Sequence, residues 1–213
     1  MDKIAFCSVA FTSKQFGDEY IKQQERLKQS LISVYGDDAD LFFWTNEYPE
    51  NSRIHFDSSY GFKVHAIKHC LNLGYKKIIW LDTAMIVYSK LDYYFDMSPV
   101  ACIFDSQKLK NVTMNRVKEY YNIDCEGWYL CGGSLFAFDF EKEKTHSVFN
   151  MWYQAERLGF FGCQTDESEG MQQGHRWDET MMSISLYTHN LSPICKEAAD
   201  YDNKSIIDKK HCK

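Results

Sequence analysis

The segment IIWLDTAMIVY, residues 78–88, puts one acid, Asp82, in a tight connection between two apolar runs. A carboxylate there costs free energy unless water, hydrogen-bond donors or a metal ion take up its charge. The plain alternative is an aspartate that simply ends a strand. VACIFD (100–105) repeats the pattern and puts Asp105 at a second strand end. Asp178 and Glu179 stand near the start of HRWDETMMSISLYTHN (175–190), a helical pattern whose first turn favours acids through the helix dipole. Acids placed this way do three kinds of chemistry: they hold hard cations, bind hydroxyls, or accept protons.

The elements that must position these groups follow from the apolar spacing. KIAFCSVAF (3–11) has strand length. From Asp18 to Gly36 the residues Tyr20, Ile21, Leu27, Leu31 and Val34 recur at helical spacing, with Gly36 as the stop. LFFWT (41–45) is a strand followed by a polar loop. A second helix is expected over 61–73, with Val64, Ile67, Lys68 and Leu71 spaced by threes and fours and Gly74 beyond its end. KKIIWLD (76–82) and MIVY (85–88) read as strands. A helix is expected over 111–123, an alternating strand after a glycine pair over 129–140, a helix over about 141–157 and a polar loop over 160–174. Strands alternating with helices predict an α/β domain with a mainly parallel central sheet flanked by helices, Rossmann-like in layout. Such sheets bind ligands at the carboxyl ends of their strands.

The 213 residues suit one domain over 1–213, with no repeat, low-complexity stretch or linker; the charged end is compatible with a module of a longer chain. Hydrophobic residues make up 45% and charged residues 25%, the balance of a chain that buries a core. Aromatics reach 16%, enough for core packing with rings to spare for stacking on bases or sugars. A net charge of −6 without a long basic run argues against non-specific nucleic-acid binding. No apolar run approaches the length of a membrane span, and the opening residues are too mixed in charge for a signal peptide. Eight cysteines without a CxxC give little support for zinc and read as reduced thiols of a soluble, cytoplasmic protein.

Taken in order, these segments resemble the GT-A glycosyltransferases. IIWLDTAMIVY resembles that family's DxD region, and IAFCSVAFT its opening strand. LFFWTNEYP resembles the second strand and loop, and SSYGFKVHAIKHCLNLGYKKIIWLD the lysine-bearing helix leading into the motif. YLCGGSLFAF resembles the strand lining the sugar pocket, HRWDETMMS the acidic segment facing the reacting carbon, and SIIDKKHCK the C-terminal segment at the diphosphate. The order is most similar to that of the chlorovirus glycosyltransferases acting on a major capsid protein. The resemblance implies a GT-A fold and hexosyl transfer from a UDP-sugar, of the UDP-glucose or UDP-rhamnose type. The acceptor would be a sugar on a glycoprotein glycan, a capsid glycoprotein included, and the setting the host cytoplasm if the source is viral. It also implies a cofactor, Mn²⁺ or Mg²⁺, which neutralises the charge of a nucleoside diphosphate leaving group.

The resemblance also assigns roles, with departures. Ala84 stands where the motif has its second acid, so Asp82 remains alone. Asp208 stands where relatives carry a histidine, and is expected to share the metal with Asp82 and the phosphates; His211 is a lesser candidate. Lys63, Lys209 and Lys210 are expected to meet phosphate. Phe11, Thr12 and Trp44 are placed to frame the base, with core packing as the competing role of Phe11. Asp105 is expected to bind sugar hydroxyls, and Gly132 and Gly133 to let the backbone approach the sugar. Asp178 is expected to be the catalytic carboxylate, either deprotonating the acceptor hydroxyl or stabilising an oxocarbenium-like centre, with Glu179 as its neighbouring alternative. Ala84 also keeps open a non-catalytic nucleotide-sugar-binding module. A sugar-nucleotide pyrophosphorylase would need a glycine-rich loop after the first strand, where FTSKQFGDEY has one glycine.

Overall fold

The computed structural model describes residues 3–162 and 176–194. Asp208, Lys209, Lys210 and His211, and most of the expected 160–174 loop, lie outside them. Five strands form one sheet in the order β2-β1-β3-β5-β4. These are β1 (Ile4–Ala10), β2 (Ala39–Thr45), β3 (Lys77–Leu81), β4 (Val100–Lys108) and β5 (Tyr129–Asp139). β1 pairs parallel with both β2 and β3, while β5 lies antiparallel between β3 and β4. Four strands therefore run one way, as expected, and β5 alone is reversed.

Both faces of the sheet are buried, which is why its strands read as nearly unbroken apolar runs. Along β1, Ala5, Cys7 and Val9 face one core and Ile4 and Phe6 the other. On the first face lie α2 (Phe62–Asn72), α5 (Glu143–Arg157) and α6 (Trp177–Thr188), with the short α4 (Asn115–Tyr121). On the second lie α1 (Glu19–Tyr35) and the short α3 (Tyr93–Met97). α1 buries Leu27, Leu31 and Tyr35 together with Gln23 and Gln24, while Tyr20, expected on its buried face, is exposed. The five cysteines among the described residues are buried free thiols. Among those residues no helix is long and apolar enough to cross a membrane.

Two expected elements differ. MIVY does not form a strand. After β3 the chain turns, the Met85 N–H bonding the Asp82 carbonyl at 3.1 Å, and then runs along α1, where Ser30 Oγ accepts the Val87 N–H at 3.1 Å. Met85 and Val87 do point inward, so the alternation is real. Both edges of β3 are already taken by β1 and β5, which leaves no ladder for this segment to join. The helix expected over 111–123 shrinks to α4, preceded by a single 3-10 turn at Leu109–Asn111.

The pairing of β4 with β5 slips twice. Cys102 faces Phe136 but Ile103 faces Gly132, so Gly133, Ser134 and Leu135 have no partner on β4. A second slip between Phe104 and Lys108 holds Asp105, whose Oδ1 accepts the Gln107 N–H at 2.9 Å in a local turn. Such bulges re-aim backbone groups beside sites.

Candidate active site

The strand order changes direction at β1, with β2 on one side and β3 on the other. The crevice at the carboxyl ends of β1 and β3 is where an open α/β sheet holds ligands. A cleft of about 690 Å³ opens there. Val9, Ala10 and Phe11 from the end of β1 face Trp80, Asp82, Thr83 and Ala84 from the end of β3. Phe16, Tyr20 and Gln23 on and before α1, and His55, Tyr60 and Phe62 before and on α2, complete the wall. The cleft is ring-lined, with Phe11 tilted against Tyr48 at 4.5 Å and His55 edge-on to Tyr60 at 4.8 Å. The His55 Nδ1 accepts the Tyr60 N–H at 3.2 Å, which places the ring proton on Nε2. Burial lowers the proton affinity of His55 and the charge of Lys63 lowers it further.

Below Asp82 lies a cluster of charge. Lys63, in the first turn of α2, is 3% exposed. Its ammonium is 2.9 Å from Asp178 Oδ2 and 3.4 Å from Asp82 Oδ1, and it donates to the Gly133 carbonyl at 2.8 Å. The rings of Tyr60, Trp80 and Phe136 surround it at 5.0, 5.5 and 5.6 Å. Asp82 Oδ1 also accepts from Trp80 Nε1 at 2.9 Å, and the Asp82 N–H bonds the Ser134 carbonyl at 2.9 Å. Glu179 Oε1 accepts the Gly133 N–H at 2.9 Å, and Arg176 lies 3.4 Å from its Oε2. Trp177 opens α6 at φ 39°, an unusual backbone for a tryptophan, and Trp152 Nε1 holds the Asp178 carbonyl at 3.0 Å.

The electrostatics follow from one buried cation, Lys63, among three acids, with the more exposed Arg176 beside Glu179. Burial pushes the Asp178 carboxyl up to about 7; Lys63 pulls it down and the charge of Glu179 pushes it up further. Burial likewise raises Glu179 against the pull of Lys63 and of the Gly133 N–H. Burial alone would lower Lys63, but Asp178 and Asp82 outweigh it and hold the ammonium charged.

The expected site residues thus separate. Asp82, Lys63, Gly133, Asp178 and Glu179 come together, and Phe11 lines the cleft while also packing on the core. Thr12 is not among the lining residues, and its N–H bonds Asn46 Oδ1 at 2.8 Å. Trp44 does not reach the cleft. It stands on β2, one strand further out, edge-on to His69 at 5.5 Å. Lys63, expected to meet phosphate, is enclosed by protein groups instead. Gly133 makes room for protein too: a Cβ there would lie 3.0 Å from Glu179 Oε1 and from Lys63 Nζ. At Gly132 a Cβ would meet nothing closer than the Ile103 carbonyl at 3.7 Å. Asp105 is engaged in its bulge. His55, Gln23 and Tyr60 were not singled out from the sequence, because strand-end position marks acids and not the loop and helix residues that fold over the strand ends.

A divalent cation asks for several hard oxygen ligands. Among the described residues no group of three or more His, Cys, Asp or Glu is placed to hold one. One oxygen of Asp82 is engaged by Trp80 and Lys63, and Ala84 supplies no side-chain oxygen. The described residues therefore do not fit such an ion by themselves, and no step below is routed through one.

No family model matches the sequence, and no curated protein does. Solved structures do match in fold. A glycosyltransferase involved in the glycosylation of the major capsid of PBCV-1 aligns over 99% of this chain and 94% of its own, with a TM-score of 0.52 and 9% identity. The bifunctional glycosyltransferase WbbM in its apo form aligns over 91% of this chain with a TM-score of 0.50 and 10% identity; the match spans 39% of WbbM's length. The chain has the α/β fold of these glycosyltransferases.

Proposed function

We propose that the chain transfers a glycosyl group from a nucleotide sugar to a sugar hydroxyl. The observation that carries this reading is the convergence of Asp82, Asp178 and Glu179 around one buried lysine, with Asp82 lining a ring-lined cleft at the strand ends. The rings offer faces for a base and the hydrophobic side of a sugar. The acids offer hydrogen bonds to hydroxyls and a proton acceptor. Asp178 takes the second role, because a carboxyl near 7 changes protonation around neutral pH, where a general base works best. Uridine is the base to test first and a hexose the first sugar, with UDP-glucose and UDP-rhamnose as donors. By analogy with the PBCV-1 neighbour, a glycan on a capsid protein heads the acceptor screen. Mn²⁺ or Mg²⁺ would have Asp82 alone among the described residues, with Asp208 and His211 outside them.

The test is release of nucleoside diphosphate from a panel of nucleotide sugars, with and without acceptor glycans. Turnover of at least one donor is expected. Binding of a donor without hydrolysis or transfer to any acceptor would leave the alternative favoured by Ala84, a non-catalytic nucleotide-sugar-binding module.

A further inference from the structure

Arg26 lies on α1, one turn beyond Gln23 on the same helix face. Its Nη2 donates to the Ala84 carbonyl at 3.3 Å, at the turn that follows Asp82. Its Nε is buried and has no hydrogen-bond partner among the described residues, and no carboxylate among them pairs with it. A guanidinium does not lose its proton in a protein, so this half-buried charge stands without a counter-ion among the described residues. Such a group is costly unless an anion completes it. The groups on either side of it, Gln23 and Ala84, both line the cleft. Lys63 cannot provide that charge to a ligand, being enclosed by Asp82, Asp178 and the Gly133 carbonyl.

Position 84 is also where the chain departs from a two-acid motif. A carboxylate there would put a negative charge on the residue whose carbonyl the guanidinium already holds. With alanine, the guanidinium remains available to another anion.

We propose that Arg26 is a phosphate-binding residue of the donor site, its guanidinium taking diphosphate oxygens at the 82–84 turn. The proposal rests on the nucleotide-sugar reading above. It adds that charge on the leaving group is met by a protein cation, at the point where the motif would otherwise place a second acid and its metal. The planar fork of a guanidinium suits two phosphate oxygens at once.

Calorimetric titration of the whole chain with UDP, in EDTA and again with excess Mn²⁺, tests it. UDP is expected to bind in EDTA. Arg26→Gln keeps a donor for the Ala84 carbonyl and removes the charge; it should weaken UDP binding about tenfold to a hundredfold. Arg26→Lys should recover part of the loss, and uridine should bind the parent and both variants alike. Thermal unfolding of each variant establishes that it is folded. Undiminished UDP binding by folded Arg26→Gln overturns the proposal. UDP binding that appears only with Mn²⁺ overturns it too, while leaving the donor reading intact. No binding of UDP in either buffer overturns both. Ala84→Asp offers a second arm: it should weaken binding in EDTA by pairing with Arg26, and unchanged affinity there counts against the proposal.

Discussion

Two buried charge clusters lie on either side of α2, and they are built in opposite senses. Around Lys63 one cation faces three acids, Asp82, Asp178 and Glu179. Around Glu156 one acid faces an excess of donors: Arg53 Nε at 3.0 Å, Ser58 Oγ at 2.9 Å and His65 Nε2 at 3.3 Å. A second Arg53 nitrogen also donates to the Glu156 carbonyl. Burial raises Glu156, but the bonds from His65, Ser58 and Arg53 outweigh it and hold the carboxyl below its usual value. In the Lys63 cluster burial wins at Asp178. A satisfied cluster holds structure together, while an acid-rich one keeps proton affinity in the working range. The Glu156 cluster also has a task at a distance: it pins the 53–60 loop that brings His55 and Tyr60 to the cleft.

The comparison can be broken at either end. Asp178→Asn should lower the transfer rate by about 10²–10⁴-fold with donor affinity kept, as rates and titrations would show. A fully active variant would remove Asp178 from the chemistry. Glu156→Ala should cost about 3–5 kcal/mol in urea unfolding at neutral pH, because it strands Arg53, Ser58 and His65. The sign is fixed by the lowered carboxyl. Its contribution is present above the unfolded value near 4.5 and is lost as pH falls through the folded one, so the gap between variant and parent should close in acid. Gly133→Ala should destabilise by about 1–3 kcal/mol, since its Cβ presses on Glu179 and Lys63 at 3.0 Å. The smallest effect is a sharpening one. If Asp178 accepts the proton in its ionised form, the rate should rise with pH through about 7. That limb should stay in place when Arg53→Gln loosens the other cluster.

Much of the fold was legible because strand and helix spacing are local. β1, β3 and α2 read directly from Phe6, Ile79 and Val64 and their neighbours. Asp82 stood out because an acid at a strand end is costly wherever it lies. What stayed hidden depends on distant pairing. Lys63 was expected to meet phosphate, and its enclosure needs the Gly133 carbonyl from β5 and Asp178 from α6. Trp44 looked equivalent to Phe11 because both end a strand. The difference is that β2 lies at the sheet edge, away from the crevice between β1 and β3. Arg26 gave no signal in the sequence, since its meaning comes from the turn at Ala84 packing along α1.

The slipped register of β5 bears on how such a chain tolerates insertions and deletions. Gly133 can bond Lys63 through its carbonyl and Glu179 through its N–H because neither group is engaged with β4. Removing Gly133 to Leu135, the residues that the β4 register skips, would let Ile103 continue the ladder from Cys102. The pairing with β4 would become regular, and the charged cluster would lose both bonds to Gly133. In lineage terms, length variation within this one strand would trade activity for regularity, whereas variation in outer loops would leave the chemistry where it is.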